Sequence, residues 1–240
     1  MRVAGTRRGV ALLMFVTLLA ACSGEDAAPP TTAPPTTGAA ATTTTAAAPP
    51  PTTPTTAAPT TTTADPPARP EKLVSDFDRE SVDDFDTAGD DLYRVTVELF
   101  DLFNFLEGHP AGSANDMAAA LVERTYPFWD SIQLGFAELT DNTGWRYVDP
   151  GIELLGVRVD SVADDAAVVT VADGRDSQVV ADANGNPVRR YDGWEPEVTS
   201  YTLVRGIDGR WRMADLDALG PVGEVNTQDL VPVEWTGRSS

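Results

Sequence analysis

Residues 71–217 of this 240-residue chain predict an α+β fold, in which helices pack on one face of an antiparallel sheet. Residues 92–139 carry apolar side chains at the three- and four-residue spacing of amphipathic helices. After residue 151 apolar and polar side chains alternate, as they do in strands, and short turn motifs interrupt the alternation. Helices followed by a run of strands are typical of this class, since parallel α/β folds alternate the two.

The first helix is predicted within the stretch DDLYRVTVELFDLFNFLEGHP, from Asp90 to Pro110. Its apolar residues share one face, and Asp101 lies on the opposite face. Gly108 and Pro110 end the helix, because neither residue continues helical geometry well. The apolar face that we expect to pack on the sheet comprises Leu92, Val95, Leu99, Leu102, Phe103 and Leu106.

Two more helices are predicted before the strands begin. Ser113 can cap the second helix, because its hydroxyl can accept hydrogen bonds from the free amides of the first turn. Pro127 suits the first turn of the third helix, where its missing N–H costs nothing. The apolar face of the third helix is formed by Phe128, Ile132, Phe136 and Leu139. We expect three helices in total, ahead of a curved sheet.

Four turn motifs divide the rest of the domain into about five strands. They are Asp164-Asp165, Asp173-Gly174, Asn184-Gly185 and Asp208-Gly209. The segment from Gly220 contains Pro221 and Pro232, so we expect residues 218–240 to form a tail that runs over the surface.

Residues 1–21 have the composition of an export signal peptide. Three arginines precede an apolar run from Val10 to Ala21, and Cys22 is the only cysteine of the chain. The run is shorter than the roughly 20 residues that a membrane-spanning helix needs. The tetrapeptide LAAC, from Leu19 to Cys22, resembles the lipobox of bacterial lipoproteins.

The resemblance implies cleavage before Cys22 and a lipid on its sulfur, which would hold the protein at the outer face of the cell membrane. The alternative is an ordinary secretory signal peptide followed by a free thiol. Residues 22–70 consist almost wholly of Thr, Pro and Ala and carry too little apolar bulk to fold. They predict a disordered linker.

The charge of the chain excludes some partners. Asp and Glu outnumber Lys and Arg by 37 to 17, giving a formal net charge of −20. This excess argues against nucleic acid and against direct contact with anionic lipid headgroups. Asp182, Asn184 and Asn186 have the spacing that opens an EF-hand loop, but Pro187 and Gly193 replace its required glycine and glutamate. We therefore predict no metal site and no cofactor.

The stretch YTLVRGIDGRWRMADL, from Tyr201 to Leu216, resembles the closing hairpin of the NTF2-like superfamily. The resemblance implies three helices on a curved sheet that form a cone, with a pocket between the two layers. It implies no single activity, because this fold hosts enzymes, ligand binders and adaptor domains.

A hairpin turn of two or four residues would place alternate residues of both strands on one face of the sheet. On that basis Asp215 shares a face with Trp211 and Met213, and it becomes the candidate catalytic carboxylate of the pocket. The side chains that we expect to line the pocket are Ser200, Thr202, Trp211, Met213 and Tyr147.

The sequence favours a lipid-anchored extracytoplasmic domain that acts as a ligand-binding or accessory module of the cell envelope. Its expected partners are the membrane, through the N-terminal lipid, and an envelope protein or a small apolar ligand. The alternative is a small hydrolase, dehydratase or isomerase that uses Asp215 in the pocket. An enclosed cavity containing this carboxylate would favour the enzyme, and a filled interior would favour the interaction module.

Overall fold

The computed structural model describes residues 68–148 and 151–236. The predicted signal peptide, Cys22 and the linker up to residue 67 lie outside the described residues. Within the described ranges, no helix has both the length and the apolar character needed to cross a membrane.

The domain is α+β and contains the three predicted helices, α1 (Leu92–Gly108), α2 (Ala114–Leu121) and α3 (Phe128–Thr140). Asp91 caps α1, because its carboxylate accepts hydrogen bonds from the N–H groups of Tyr93 and Arg94. Ser113 caps α2, as predicted, and completes a capping box with Asp116. Local capping chemistry therefore sets the start of both helices.

Two sheets accompany the helices. The strands of the main sheet, in spatial order, are β1 (Leu73–Ser75), β9 (Val231–Trp235), β3 (Ile152–Val162), β4 (Ala166–Arg175), β7 (Trp194–Arg205) and β8 (Trp211–Pro221). The small sheet contains β2 (Arg146–Tyr147), β5 (Gln178–Ala181) and β6 (Pro187–Tyr191). The prediction of one sheet with about five antiparallel strands is thus too low, since the described residues form a six-stranded sheet and a three-stranded sheet. The main sheet is also mixed, since β1 and β9 are parallel.

The predicted surface tail is wrong in two segments, because the sheet continues past residue 217 and takes up a further strand after it. Strand β8 extends to Pro221, and β9 lies between β1 and β3. Val231 is fully buried opposite Val157, so the segment contributes to the core. Pro232 is tolerated because β9 changes partner there, from β3 to β1.

The main core lies between the helices and one face of the main sheet. Its fully buried members include Leu92, Leu99 and Leu102 of α1 and Val157, Val169, Val171 and Leu203 of the sheet. On the opposite face, Ala172, Val198 and Leu230 form a smaller cluster with Leu155, Val222 and Val225. The helices therefore define an inner face of the sheet, and strand alternation sends every second side chain to an outer face.

Helix α1 is buried on more than its apolar face. Asp101 was expected on the opposite, polar face, yet it is only 2% exposed. Its carboxylate accepts hydrogen bonds from the Ser75 hydroxyl and the Asp76 N–H. The N-terminal strand β1 thus meets the polar side of the helix, which the helical pattern alone did not reveal.

Candidate functional site

The β7–β8 hairpin separates the predicted site residues onto two faces. The Gly206 N–H donates a 2.8 Å hydrogen bond to the Arg210 carbonyl, so that three residues form the turn. Gly209 takes the left-handed conformation that this turn requires, with φ of 78°. Because the number of turn residues is odd and not even, each residue of β8 next to the turn lies on the face opposite to the one predicted relative to β7. Trp211 therefore lies opposite Arg205 instead of sharing a face with Thr202.

A bulge at Ala214 inverts the parity a second time. Beyond it, Thr202 lies opposite Asp215 and Ser200 lies opposite Asp217. Their neighbours Tyr201 and Leu203 are buried in the main core, so Ser200, Thr202 and Asp215 point to the outer face. The predicted shared face of Asp215 with Trp211 and Met213 is wrong. Asp215 is exposed, and its carboxylate accepts a hydrogen bond from the adjacent Leu216 N–H.

Trp211 and Met213 belong to the core. Both are buried, with exposed fractions of 2% and 4%. The indole N–H of Trp211 donates a 3.0 Å hydrogen bond to the Gly89 carbonyl, in the segment that precedes α1. This bond joins the β7–β8 hairpin to the segment that leads into α1.

A buried ion pair that was not predicted from the sequence joins α1 to β4. The Arg175 guanidinium donates a 2.7 Å hydrogen bond to the Glu107 carboxylate, and each side chain is only 6% exposed. Three aromatic rings surround Arg175, with its Cζ at 5.0 Å from the Trp194 ring centroid, 5.8 Å from Tyr147 and 5.9 Å from Phe103. Among the residues predicted to line the pocket, Tyr147 is thus the one that lies beside the buried Glu107–Arg175 pair.

Burial and neighbouring charges have opposing effects on the pKa values of the groups in this cluster. The pKa of Glu107 is raised, because its burial outweighs the opposing effects of the Arg175 charge and hydrogen bond. Burial also raises the pKa of the Tyr147 hydroxyl, and the Glu107 charge adds to this effect. Tyr147 therefore stays neutral at physiological pH, beside the Glu107–Arg175 ion pair.

Asp173 is a second buried carboxylate on the inner face. It lies two residues before Arg175 on β4 and opposite Leu154 and Glu197 on the neighbouring strands. Its Oδ1 atom has no hydrogen-bond partner within the described part of the chain. Burial and the Glu197 charge raise the pKa of Asp173 to about 7, against a smaller opposing effect of Arg175. Burial, together with the charge of Asp173, raises the pKa of Tyr201 well above its usual value.

The sequence contained a signal for Asp173 that the turn motif obscured. Asp173-Gly174 was predicted to be a hairpin turn, but β4 continues to Arg175 with a bulge at this point. A Cβ on Gly174 would lie 3.2 Å from Pro196 Cγ, so glycine permits this close strand contact. The alternation of Ala167, Val169 and Val171 extends in phase to Asp173 and would have predicted an inward carboxylate.

Buried carboxylates and tyrosines are residue types that act in general acid–base sites, but a substrate needs a path to them. A surface depression of about 530 Å³ lies near the cluster, and one of about 160 Å³ lies beside Thr202. Neither depression is lined by Asp173 or Glu107. In this conformation the two carboxylates are core groups. No set of three or more His, Cys, Asp or Glu residues in the described ranges is arranged to hold a metal ion.

The larger depression lies between the C-terminal ends of α1 and α3 and the start of β2. Its lining residues are Gly108, His109, Pro110, Gly112, Leu139, Thr140, Thr143, Gly144, Trp145 and Arg146. His109 caps the end of α1, and its ring stacks on Phe105 with centroids 4.8 Å apart. The lining contains no carboxylate, although the chain is strongly acidic.

Comparisons with known proteins add little to this geometry. No protein-family model matches the sequence, and no curated protein matches it. Among solved structures, the chain is similar to a protein from Catenulispora acidiphila in complex with S-DNPA. The two are 12% identical, the match covers 52% of this chain and 87% of that chain, and the TM-score is 0.30. A likeness at this level does not indicate a function.

Proposed function

We propose that this chain is a lipoprotein whose lipid, on Cys22, holds it at the extracytoplasmic face of the cell membrane. In this proposal the Thr/Pro/Ala-rich linker connects the lipid to an NTF2-like domain, and the domain serves as an interaction module of the cell envelope. The lipobox resemblance supports the anchor. The role as an interaction module is supported by the packing of the domain interior, where apolar side chains fill the space between the helices and the sheet.

The observation that carries the proposal is the filled space between the helices and the sheet. Leu99 and Leu102 of α1 and Val169 and Leu203 of the sheet are at most 1% exposed in one continuous core. A small-molecule carrier or an enzyme on such a fold needs an accessible pocket between these layers. Asp215, the carboxylate expected there, is exposed on the outer face. The domain is therefore better suited to contacts through its surface.

The anchor is tested by expressing the natural chain and the Cys22→Ser variant with a clickable fatty-acid analogue. We expect label and membrane association for the natural chain, because a buried lipid is its attachment. The serine variant should be unlabelled and should accumulate as a precursor or as soluble protein. A serine variant that remains on the membrane after signal-peptide cleavage would contradict the proposed anchor.

The interaction module is tested by chemical crosslinking of membranes that carry the natural chain. We expect a crosslinked species that contains this chain and a second protein, and Asp215→Asn should leave its yield within about tenfold, since an exposed carboxylate contributes little. Recovery of the chain solely as a monomer or as self-linked copies would count against the module.

A further inference from the structure

Lysine and arginine side chains in residues 68–148 and 151–236 form ion pairs with carboxylates, with three exceptions. The exceptions are Arg124, Arg146 and Arg190. Arg124 lies over the Trp129 ring, with its Cζ 4.9 Å from the centroid. Arg146 and Arg190 both belong to the small sheet, and both are exposed.

The register of the small sheet places these two arginines on the same face. Arg146 lies opposite Ala181, and Arg190 lies opposite Val179, so both pair with alternate residues of β5. Val180, between those two residues, belongs to the main core and therefore points inward, whereas Ala181 is buried outside that core. On β6, Arg189 points inward to its partner Glu138, which directs Arg190 outward.

Exposed valines share this face with the arginines. Val148 follows β2, donates its N–H to the Val179 carbonyl and is 57% exposed. Val188 of β6 is 42% exposed. We call the surface formed by Arg146, Val148, Val179, Val188 and Arg190 the arginine–valine face. In a chain with 37 acidic and 17 basic side chains, these two guanidinium groups have no ion-pair partner among the described residues and can bind added carboxylates.

We propose that the arginine–valine face binds an extended acidic segment of a partner protein. The inference rests on the proposed interaction module and names the chemistry of its partner. Each planar guanidinium matches a carboxylate through two parallel hydrogen bonds. The valines between them accept apolar side chains of the same segment, and their burial adds a hydrophobic contribution.

The sheet geometry sets the spacing of the acidic residues. Arg146 and Arg190 are two strands apart and offset by two residues, which places their Cα atoms roughly 12 Å from each other. An extended chain advances about 3.3 Å per residue. Side chains of an extended segment alternate between its two faces, so only an even spacing directs both carboxylates toward the arginines. The partner segment therefore carries carboxylates four residues apart, with an apolar residue midway between them on the same face.

A short segment fits the charge of the domain better than an anionic membrane does. A membrane surface meets the field of the whole acidic chain, whose net charge of −20 opposes it. A segment that covers only the arginine–valine face is shielded from most of that field, because the Debye length at physiological salt is about 8 Å. Arg146 also lines the 530 Å³ depression, which contains no carboxylate and extends the favourable surface toward Trp145.

The test measures binding of the full mature chain to two synthetic seven-residue probes by fluorescence polarisation at 0.15 M salt. One probe carries two glutamates four residues apart with valine midway between them, and the other carries glutamine at both glutamate positions. We expect the glutamate probe to bind about tenfold tighter or more. The double variant Arg146→Gln with Arg190→Gln should abolish this preference.

Arg124→Gln is the control, because it removes an arginine that has no ion pair and lies outside the face, and so takes away one of the two positive charges that the double variant loses. It should leave the preference intact, and melting curves should show that all variants are folded. Equal binding of the two probes, or equal loss with Arg124→Gln, would overturn the proposal. Binding to phosphatidylglycerol vesicles that the double variant abolishes would also overturn it, in favour of a membrane. If the double variant still forms the crosslinked species in membranes, this face is wrong while the interaction module stands.

Discussion

The hydroxyl of Ser75 donates a 2.5 Å hydrogen bond to the carboxylate of Asp101, and this bond joins β1 to the middle of α1. Both side chains are almost fully buried. Burial raises the pKa of Asp101 to about 6, and the bonds from Ser75 and the Asp76 N–H oppose that rise. The first strand is thus held on the helix by a polar contact as well as by its apolar residues.

Ser75→Ala should lower the free energy of unfolding by about 1 to 3 kcal/mol, because it leaves a buried carboxylate with one fewer donor. The pKa of Asp101 should also rise further, since the lost hydrogen bond favoured the charged form. Urea denaturation measures the first effect, and an NMR titration of the carboxyl carbon measures the second. Ser131→Ala, an exposed position on α3, is the control and should change neither. An unchanged Asp101 pKa in Ser75→Ala would show that the hydrogen bond does not act on that carboxylate.

The helices could be predicted from sequence because their signals are local. Asp91 and Ser113 lie next to the segments that they cap, and Gly108 ends α1 where the periodicity stops. The burial of Asp101 could not be predicted in the same way. It depends on β1, which is held in the sheet by β9, a strand more than 150 residues later. A helical pattern specifies which face is apolar, but a distant strand decides whether the other face meets water.

The stability of the domain should fall as the pH rises from 5 to 8. The pKa of Asp173 is about 7 in the fold and near 3.9 in an unfolded chain, so the native state binds this proton more tightly. Its contribution is complete below about pH 4 and is lost as the pH passes through 7; as an upper bound it amounts to about 4 kcal/mol. Asp101, with a pKa of about 6, acts in the same direction. Urea denaturation at several pH values measures the slope.

Asp173→Asn removes that share of the pH dependence while keeping the size of the side chain. Its stability should change less between pH 5 and 8 than that of the natural domain, and at pH 8 it should be the more stable protein. Asp217→Asn, at an exposed position on β8, should keep the natural slope. Carboxylates with lowered pKa values, such as Asp208 beside Arg212, titrate at lower pH and do not affect this comparison. A stability that rises between pH 5 and 8 would contradict the inward, uncompensated placement of Asp173.

The candidate site was harder to predict than the fold because single residues decide it. The β7–β8 hairpin and its Asp208-Gly209 turn were predicted correctly. The turn has an odd number of residues, however, so Trp211 and Thr202 lie on opposite faces of the sheet and not on one face as predicted. The bulge at Ala214 then returned Asp215 to the outer face. Turn motifs locate a hairpin, but its register depends on the packing of both strands, so face assignments carried across a turn are sensitive to one residue.

The Glu107–Arg175 pair should behave as a buried ion pair whose halves depend on each other. Arg175→Met should cost about 3 to 5 kcal/mol, because it leaves the Glu107 charge buried without a partner. Combining it with Glu107→Leu should restore much of that stability, since a buried pair is often replaced by apolar groups with little loss. A double-mutant cycle by urea denaturation measures the coupling.

The Lys72–Glu234 pair provides the control, because its nitrogen–oxygen distance is also 2.7 Å but both side chains are exposed. Lys72→Met should therefore have little measurable effect on stability. If Arg175→Met and Lys72→Met were equally mild, burial would not be the source of the coupling, and the cluster around Tyr147 would lose its electrostatic interpretation.

Trp211 connects the sheet to the helical layer, and its removal should be among the most damaging single changes in the domain. Trp211→Ala leaves a large cavity where a buried indole packed, which should cost about 3 to 5 kcal/mol of unfolding free energy. Trp211→Phe retains most of the apolar volume but loses the bond from the indole N–H to the Gly89 carbonyl, so it should cost about 1 kcal/mol from that source. Ile207→Ala, at the fully exposed tip of the same hairpin, controls for effects on the turn and should be nearly neutral. Thermal and urea denaturation of the three variants should place them in that order, and a Trp211→Ala variant as stable as Ile207→Ala would mean that the hairpin does not pack on the helical layer in solution.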